Sequence, residues 1–178
     1  MGWKNVKEHY RIGHIVSVEG DKIHIGSPYI HDIITVSSEG KFLKEYGDSW
    51  SRNEDLDRYM SEMKADPAKL KELIQTPDTF TKSIPVYTFT DKGVEEKFCE
   101  EAGWPNVTHD GLLMYENTFS TNKMAIVKDA KRSLRSRMEY TIGVIAEEEK
   151  SIERWKQHIV NDQKQLDELM AQYPKVEK

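Results

Sequence analysis

The first third of the chain alternates apolar and polar residues with a period of two. Ile15-Val16-Ser17-Val18 and Lys22-Ile23-His24-Ile25 flank the turn-forming group Glu19-Gly20-Asp21, and residues 32–36 and 41–46 flank Ser37-Ser38-Glu39-Gly40. Alternation on either side of such turns predicts four strands in a small antiparallel meander. The period then lengthens. Asn53 is placed to cap a helix carrying Leu56, Tyr59, Met60 and Met63 at three- and four-residue spacing. Asp66-Pro67 pairs a cap with a proline at the first helical position and starts a second helix with Leu70, Leu73 and Ile74, which Thr76-Pro77 ends. The two short helices are expected to fold back against the sheet.

Alternation returns at 84–90, where Pro85 assigns the strand start to a sheet edge. Residues 94–102, rich in Glu and Lys and followed by Gly103, read as a short helix. A turn-rich connection follows through Trp104-Pro105-Asn106 and His109-Asp110-Gly111, and 112–117 reads as a strand. Ser120 or Thr121 is expected to cap a final long helix over 122–173. Its heptads have one strong apolar column, Met124, Lys131, Met138, Ile145, Ile152, Ile159, Leu166 and Tyr173, broken only at Lys131. The companion column is weaker: Val127, Leu134, Thr141, Glu148, Trp155, Asp162 and Leu169. A seven-residue repeat with apolar positions three apart is the pattern of a coiled-coil seam. Gly143 costs about 1 kcal/mol relative to alanine, but it falls on the outward face and the phase runs through it unbroken.

Fold class is therefore α+β: a meander with short helices over 1–121, divisible at 80 into 1–80 and 81–121, then the helix 122–173 and a tail 174–178. About fifty helical residues span roughly 75 Å, against roughly 35 Å for a globule of the preceding ~120 residues. The surplus face needs a second copy, another protein or a bend in its own chain. Met138, Ile145, Ile152, Trp155, Ile159, Leu166 and Leu169 are the expected association residues, with a homodimer the first expectation. Isoleucine in the strong column is compatible with a parallel pair. Against that, Glu148 and Asp162 are costly inside a tight symmetric seam, and the flanking pairs Ser151 with Lys156 and His158 with Gln163 are not charge-complementary.

Composition narrows the classes. Among 178 residues, 37% are hydrophobic and 32% charged, with a formal net charge of -5, which argues against a general nucleic-acid coat. The single cysteine, Cys99, excludes an intramolecular disulfide framework and fits a reducing cytoplasm. No signal peptide and no membrane-length apolar run is read, so the expected location is cytoplasmic. Cys99 sits among Glu95, Glu96, Glu100 and Glu101, a field that raises a thiol pKa, so it reads as structural.

Two His-Asp dipeptides, His31-Asp32 and His109-Asp110, together with His14 and His24, raise a metal-dependent hydrolase. Surface sheet histidines and turn-capping aspartates are the simpler reading, so no catalytic residue, metal or cofactor is expected. Lys128, Lys131, Arg132 and Arg135 gather on one side of the long helix and can hold phosphates of a nucleotide or nucleic acid. A solvated face balanced by the later Glu147-Glu148-Glu149 run is the simpler alternative. Trp3, Trp50 and Trp104 can stack bases, but core or interface packing explains them as well.

The strings from Ile25-Gly26-Ser27-Pro28-Tyr29-Ile30 to His31-Asp32-Ile33-Ile34, and from Gly103-Trp104-Pro105-Asn106 through His109-Asp110-Gly111 to Met114-Tyr115-Glu116-Asn117-Thr118-Phe119, together with Asn53-Glu54-Asp55-Leu56 and Asp66-Pro67, resemble small uncharacterised proteins encoded by bacteriophages and prophages. That resemblance implies a setting rather than a chemistry: an accessory protein in a bacterial host's cytoplasm, binding a host or immune component or sequestering a signalling nucleotide. It carries no catalytic residues. The leading expectation is a non-enzymatic binding protein that self-associates through its last helix, with a bacterial protein as partner. A nucleotide or nucleic-acid module is the second expectation, and a hydrolase the third.

Overall fold

The computed structural model describes residues 1–47 and 53–174. Trp50 and the tail from 175 onward lie outside the described residues. The fold is α+β and divides into two compact units, Met1–Lys128 and Asp129–Lys178.

In the first unit the meander forms as the alternation predicts. Strands β1 (Ile15–Glu19), β2 (Lys22–Gly26), β3 (Ile34–Ser37) and β4 (Phe42–Lys44) pair in sequence order, all antiparallel. Val16 faces Ile25 and Ile25 faces Ile34, while Val18 faces Ile23 and Ile23 faces Val36. The register thus gathers the apolar residues on one face, as period-two side chains require. Gly20 and Gly40 take φ of 61° and 77° in the two turns, a backbone region closed to most side chains.

Helices α2 (Glu54–Ala65) and α3 (Pro67–Gln75), numbered after an earlier helix α1, start where their caps predict. The Asn53 side chain accepts from the amides of Asp55 and Leu56, and Asp66 accepts from that of Lys69. Leu56, Tyr59 and Met63 from α2, and Leu70 and Ile74 from α3, enter one core with Val16, Ile23, Ile25, Ile34 and Val36 of the sheet. Each buried side chain of this size contributes about 1.5–3 kcal/mol relative to exposure.

Several assignments differ from the sequence reading. The chain opens with a helix, α1 (Trp3–His9), where only strands were expected. Seven residues are too few to hold a helix alone, and this one is held by distant groups. The Asp78 carboxylate accepts from the amides of Lys4 at 3.1 Å and Asn5 at 2.8 Å, satisfying two of the free N–H groups at the helix start. At the other end the amides of Arg11 and Ile12 return to the carbonyls of Glu8 and Lys7, with Arg11 at φ 48°. That is a Schellman closure with arginine at the position glycine normally takes.

Residues 93–99 form strand β6 (Gly93–Cys99) rather than the helix expected over 94–102. It pairs along its full length with β5 (Ile84–Thr90). Glu and Lys favour a helix locally, but here their charges have side-chain partners on neighbouring segments. Thr90 Oγ1 donates to Glu95 at 2.6 Å, the Tyr87 hydroxyl donates to Glu96 at 2.8 Å, and Lys97 pairs with Asp110 at 2.7 Å. Tertiary pairing overrides a propensity of a few tenths of a kcal/mol per residue.

The strand read over 112–117 shrinks to β8 (Leu113–Met114), which pairs with β7 (Asn106–Val107), and β9 (Phe119–Ser120) joins the other edge of β5. Val86, Cys99, Met114 and Phe119 form a smaller second core. Cys99 is structural, and burial pushes its thiol pKa up; the cause is desolvation rather than the neighbouring glutamates.

Helix α4 (Lys123–Gln172) runs unbroken through Gly143. Its cap is Asn122, whose side chain accepts from the amides of Met124 and Ala125, instead of Ser120 or Thr121.

Candidate association surface

The second unit consists of α4 from Asp129 on, and Ala130 is its one buried residue among those described. Helical stability here comes from neighbours along the same helix. Arg132 pairs with Asp129 at 2.8 Å, Lys150 with Glu147 at 2.8 Å and Lys156 with Glu153 at 3.4 Å, and Gln163 donates to Asp167 at 2.8 Å. Each such contact contributes about 0.2–0.5 kcal/mol. Together they line the polar flanks and leave the apolar columns untouched.

Met138, Ile145, Ile152, Trp155, Ile159, Leu166 and Leu169 are all exposed, each at least half accessible to solvent. Tyr140, Ile142, Val160 and Met170 add to the exposed apolar area. Exposed apolar surface of this extent is costly in water. The charged members of the two columns, Lys131, Glu148 and Asp162, have no ion-pair or hydrogen-bond partner among the described residues, whereas most flank charges from Glu147 onward have one.

Of the basic cluster, Arg132 is engaged by Asp129, while Lys128, Lys131 and Arg135 have no carboxylate partner among the described residues. All four side chains are exposed.

The His-Asp residues are dispersed. His14 does not oppose His24, because the β1–β2 register sets Ser17 there; it packs edge-on against Tyr59. His24 contacts Thr35 Oγ1 at 3.1 Å. Burial pushes its pKa down, so its 3.8 Å approach to Glu19 is no ion pair at neutral pH. His31 Nε2 lies 2.5 Å from the Tyr115 hydroxyl, and Asp32 is engaged by Lys44 at 2.8 Å. That hydrogen bond with Lys44 holds the Asp32 carboxyl below its ordinary pKa. The His109 ring stacks on Phe80 at 3.8 Å and 5°, and Asp110 accepts from Lys97 and Thr108. Among the described residues no three His, Cys, Asp or Glu side chains converge as a metal site.

One concavity was not legible in the sequence. A cleft of about 320 Å³ in the first unit is walled by Trp3, Phe80 and His109, with Lys4, Arg11 and Glu100 at its polar side. Lys4 and Glu100 pair at 2.7 Å. Burial alone would raise the Glu100 carboxyl, but hydrogen bonds from Lys4 and Thr81 outweigh it and hold the pKa at about 2. The walls of the cleft come from positions as far apart as Trp3 and His109, 106 residues, beyond any spacing rule. Lys4, Lys7 and Arg11 are balanced there by Glu8, Glu100 and Glu101, so charge selects neither an anion nor a cation.

No helix among the described residues is long and apolar enough to cross a membrane. Searched against family models, curated proteins and solved structures, the chain matches none of them.

Proposed function

We propose that this protein acts by binding rather than by catalysis, associating with a second copy of itself through the apolar columns of α4 and leaving the Met1–Lys128 domain to engage a bacterial protein partner. The observation that carries the reading is the solvent exposure of Met138, Ile145, Ile152, Trp155, Ile159, Leu166 and Leu169 along one uninterrupted helix. Resemblance to phage-encoded accessory proteins supplies the cytoplasmic, bacterial setting. Apolar burial is the main driving force of such association, and a face of this length is sufficient for a stable pair.

Native mass spectrometry of the untagged protein tests it. The expected mass is twice that of the chain. In the I152E/I159E variant it should fall to the monomer value, with the urea unfolding of the first domain unchanged. A double variant with the native mass of the parent protein removes α4 as the association surface.

A second reading is favoured by the unpaired cations at the start of α4. Lys128, Lys131 and Arg135 then bind nucleotide or nucleic-acid phosphates. Affinity for a labelled single-stranded oligonucleotide should fall steeply between 50 and 200 mM salt, as counterion release requires. Binding that is absent at the lower salt removes this reading.

A further inference from the structure

The exposed columns of α4 contain three charges, and their positions choose an orientation for the pair. In a parallel in-register pair each column residue meets itself. Lys131 would then face Lys131 of the second copy, Glu148 would face Glu148 and Asp162 would face Asp162, giving three like-charge layers inside one seam. Each of these side chains is free of a partner within its own helix, so nothing in the helix offsets the repulsion.

Antiparallel packing instead sets the strong column of one helix against the weak column of the other. One alignment brings Lys131 opposite Asp162 of the second copy, and by symmetry Asp162 opposite Lys131. Carried along the helix in heptad steps, it sets Leu134 against Ile159, Met138 against Trp155, and Thr141 against Ile152. Ile145 then meets Glu148 next to the two-fold axis. The seam from 131 to 162 spans roughly 48 Å and closes at both ends with an ion pair. A shift of one heptad either way loses this. It sets Lys131 against Trp155 or Leu169, and Asp162 against Met124 or Met138, so all three column charges lack an opposite one, where the first register leaves only Glu148 so.

We infer that α4 pairs with a second copy of itself in antiparallel orientation, in the register that joins Lys131 of each chain to Asp162 of the other. This rests on the self-association proposed above and adds the orientation and register. The ion pair acts as a register key, as buried polar groups do in other helical seams.

Charge exchange tests it. K131D and D162K should each weaken the dimer at least about tenfold, since each leaves two like charges facing. The K131D/D162K double variant should return to within about threefold of the parent dissociation constant. In a parallel pair the single reversals replace one like-charge layer by another, so neither the loss nor the rescue appears. A second measurement does not depend on charge: under mild oxidation, mixed L134C and I159C chains should cross-link to each other and not to themselves. Unimpaired single variants, or self-linked L134C dimers, overturn the antiparallel register and leave self-association standing. A parent protein that is monomeric at tens of micromolar overturns the self-association on which the register rests.

Discussion

Helices α2 and α4 carry the same local pattern and meet opposite fates. Leu56, Tyr59 and Met63 stand at i, i+3 and i+7 of α2 and are 2%, 1% and 0% exposed. Ile152, Trp155 and Ile159 stand at the same spacing in α4 and are 52%, 69% and 68% exposed. The spacing specifies an apolar stripe and its phase in both cases. What covers the stripe is decided elsewhere: α2 is followed at once by α3 and lies on a sheet that its own chain supplies, whereas the second unit holds no other element among the described residues. An amphipathic pattern states a demand for burial and says nothing of who meets it.

Truncation separates the two stripes most strongly. Met63→Ala opens a cavity in a packed core and should destabilise the first domain by about 2–5 kcal/mol, read as a lowered urea midpoint. Ile152→Ala should leave that midpoint within about 0.5 kcal/mol of the parent while raising the dissociation constant of the dimer. Equal effects of the two substitutions on domain unfolding would erase the distinction.

Acid titration gives a smaller contrast. The folded Glu100 pKa of about 2 lies below its ordinary value of 4.5. Its ion pair with Lys4 therefore stabilises the first domain fully above about pH 4.5, and that contribution is lost as pH falls toward 2. Glu100→Gln should lower stability at neutral pH and flatten this part of the profile, measured as thermal midpoint against pH. A variant whose acid limb matches the parent's would show that the pair contributes nothing.

Much of the fold was legible where pattern and local chemistry agree. The β1–β2 hairpin, the caps at Asn53 and Asp66, and the continuity of α4 through Gly143 all follow from residues adjacent in sequence. The failures share one cause. α1 has apolar residues at Trp3, Val6 and Tyr10, a helical spacing that was available to be read, but its start is capped by Asp78 and its length alone would not sustain it. β6 carries the helix-forming residues Glu95, Glu96 and Lys97, whose partners Thr90, Tyr87 and Asp110 lie on other segments. The apolar columns of α4 are legible residue by residue without tertiary information. The cleft beside Trp3 needed nothing else, and no feature of the sequence announced it.

The two-stranded sheet β7–β8 and its turn link the four-stranded and three-stranded sheets of the first domain. The Gly111 carbonyl accepts from the amide of Val18 at 2.7 Å, the His109 amide donates to the Phe98 carbonyl at 2.7 Å, and the His109 carbonyl accepts from the Trp3 indole at 3.1 Å. Gly111, at φ 88°, lies so close to Val18 that a Cβ there would stand 2.3 Å from the valine methyl. Translation gives this arrangement an order in time. The indole acceptor of Trp3 lies 106 positions downstream of it and is therefore made later. At roughly 5–20 residues per second, α1 waits seconds for that acceptor, while β1 and α3, against which it also packs, are made sooner. The bonds from His109 and Gly111 to Trp3, Val18 and Phe98 therefore form only once residues 106–114 are made.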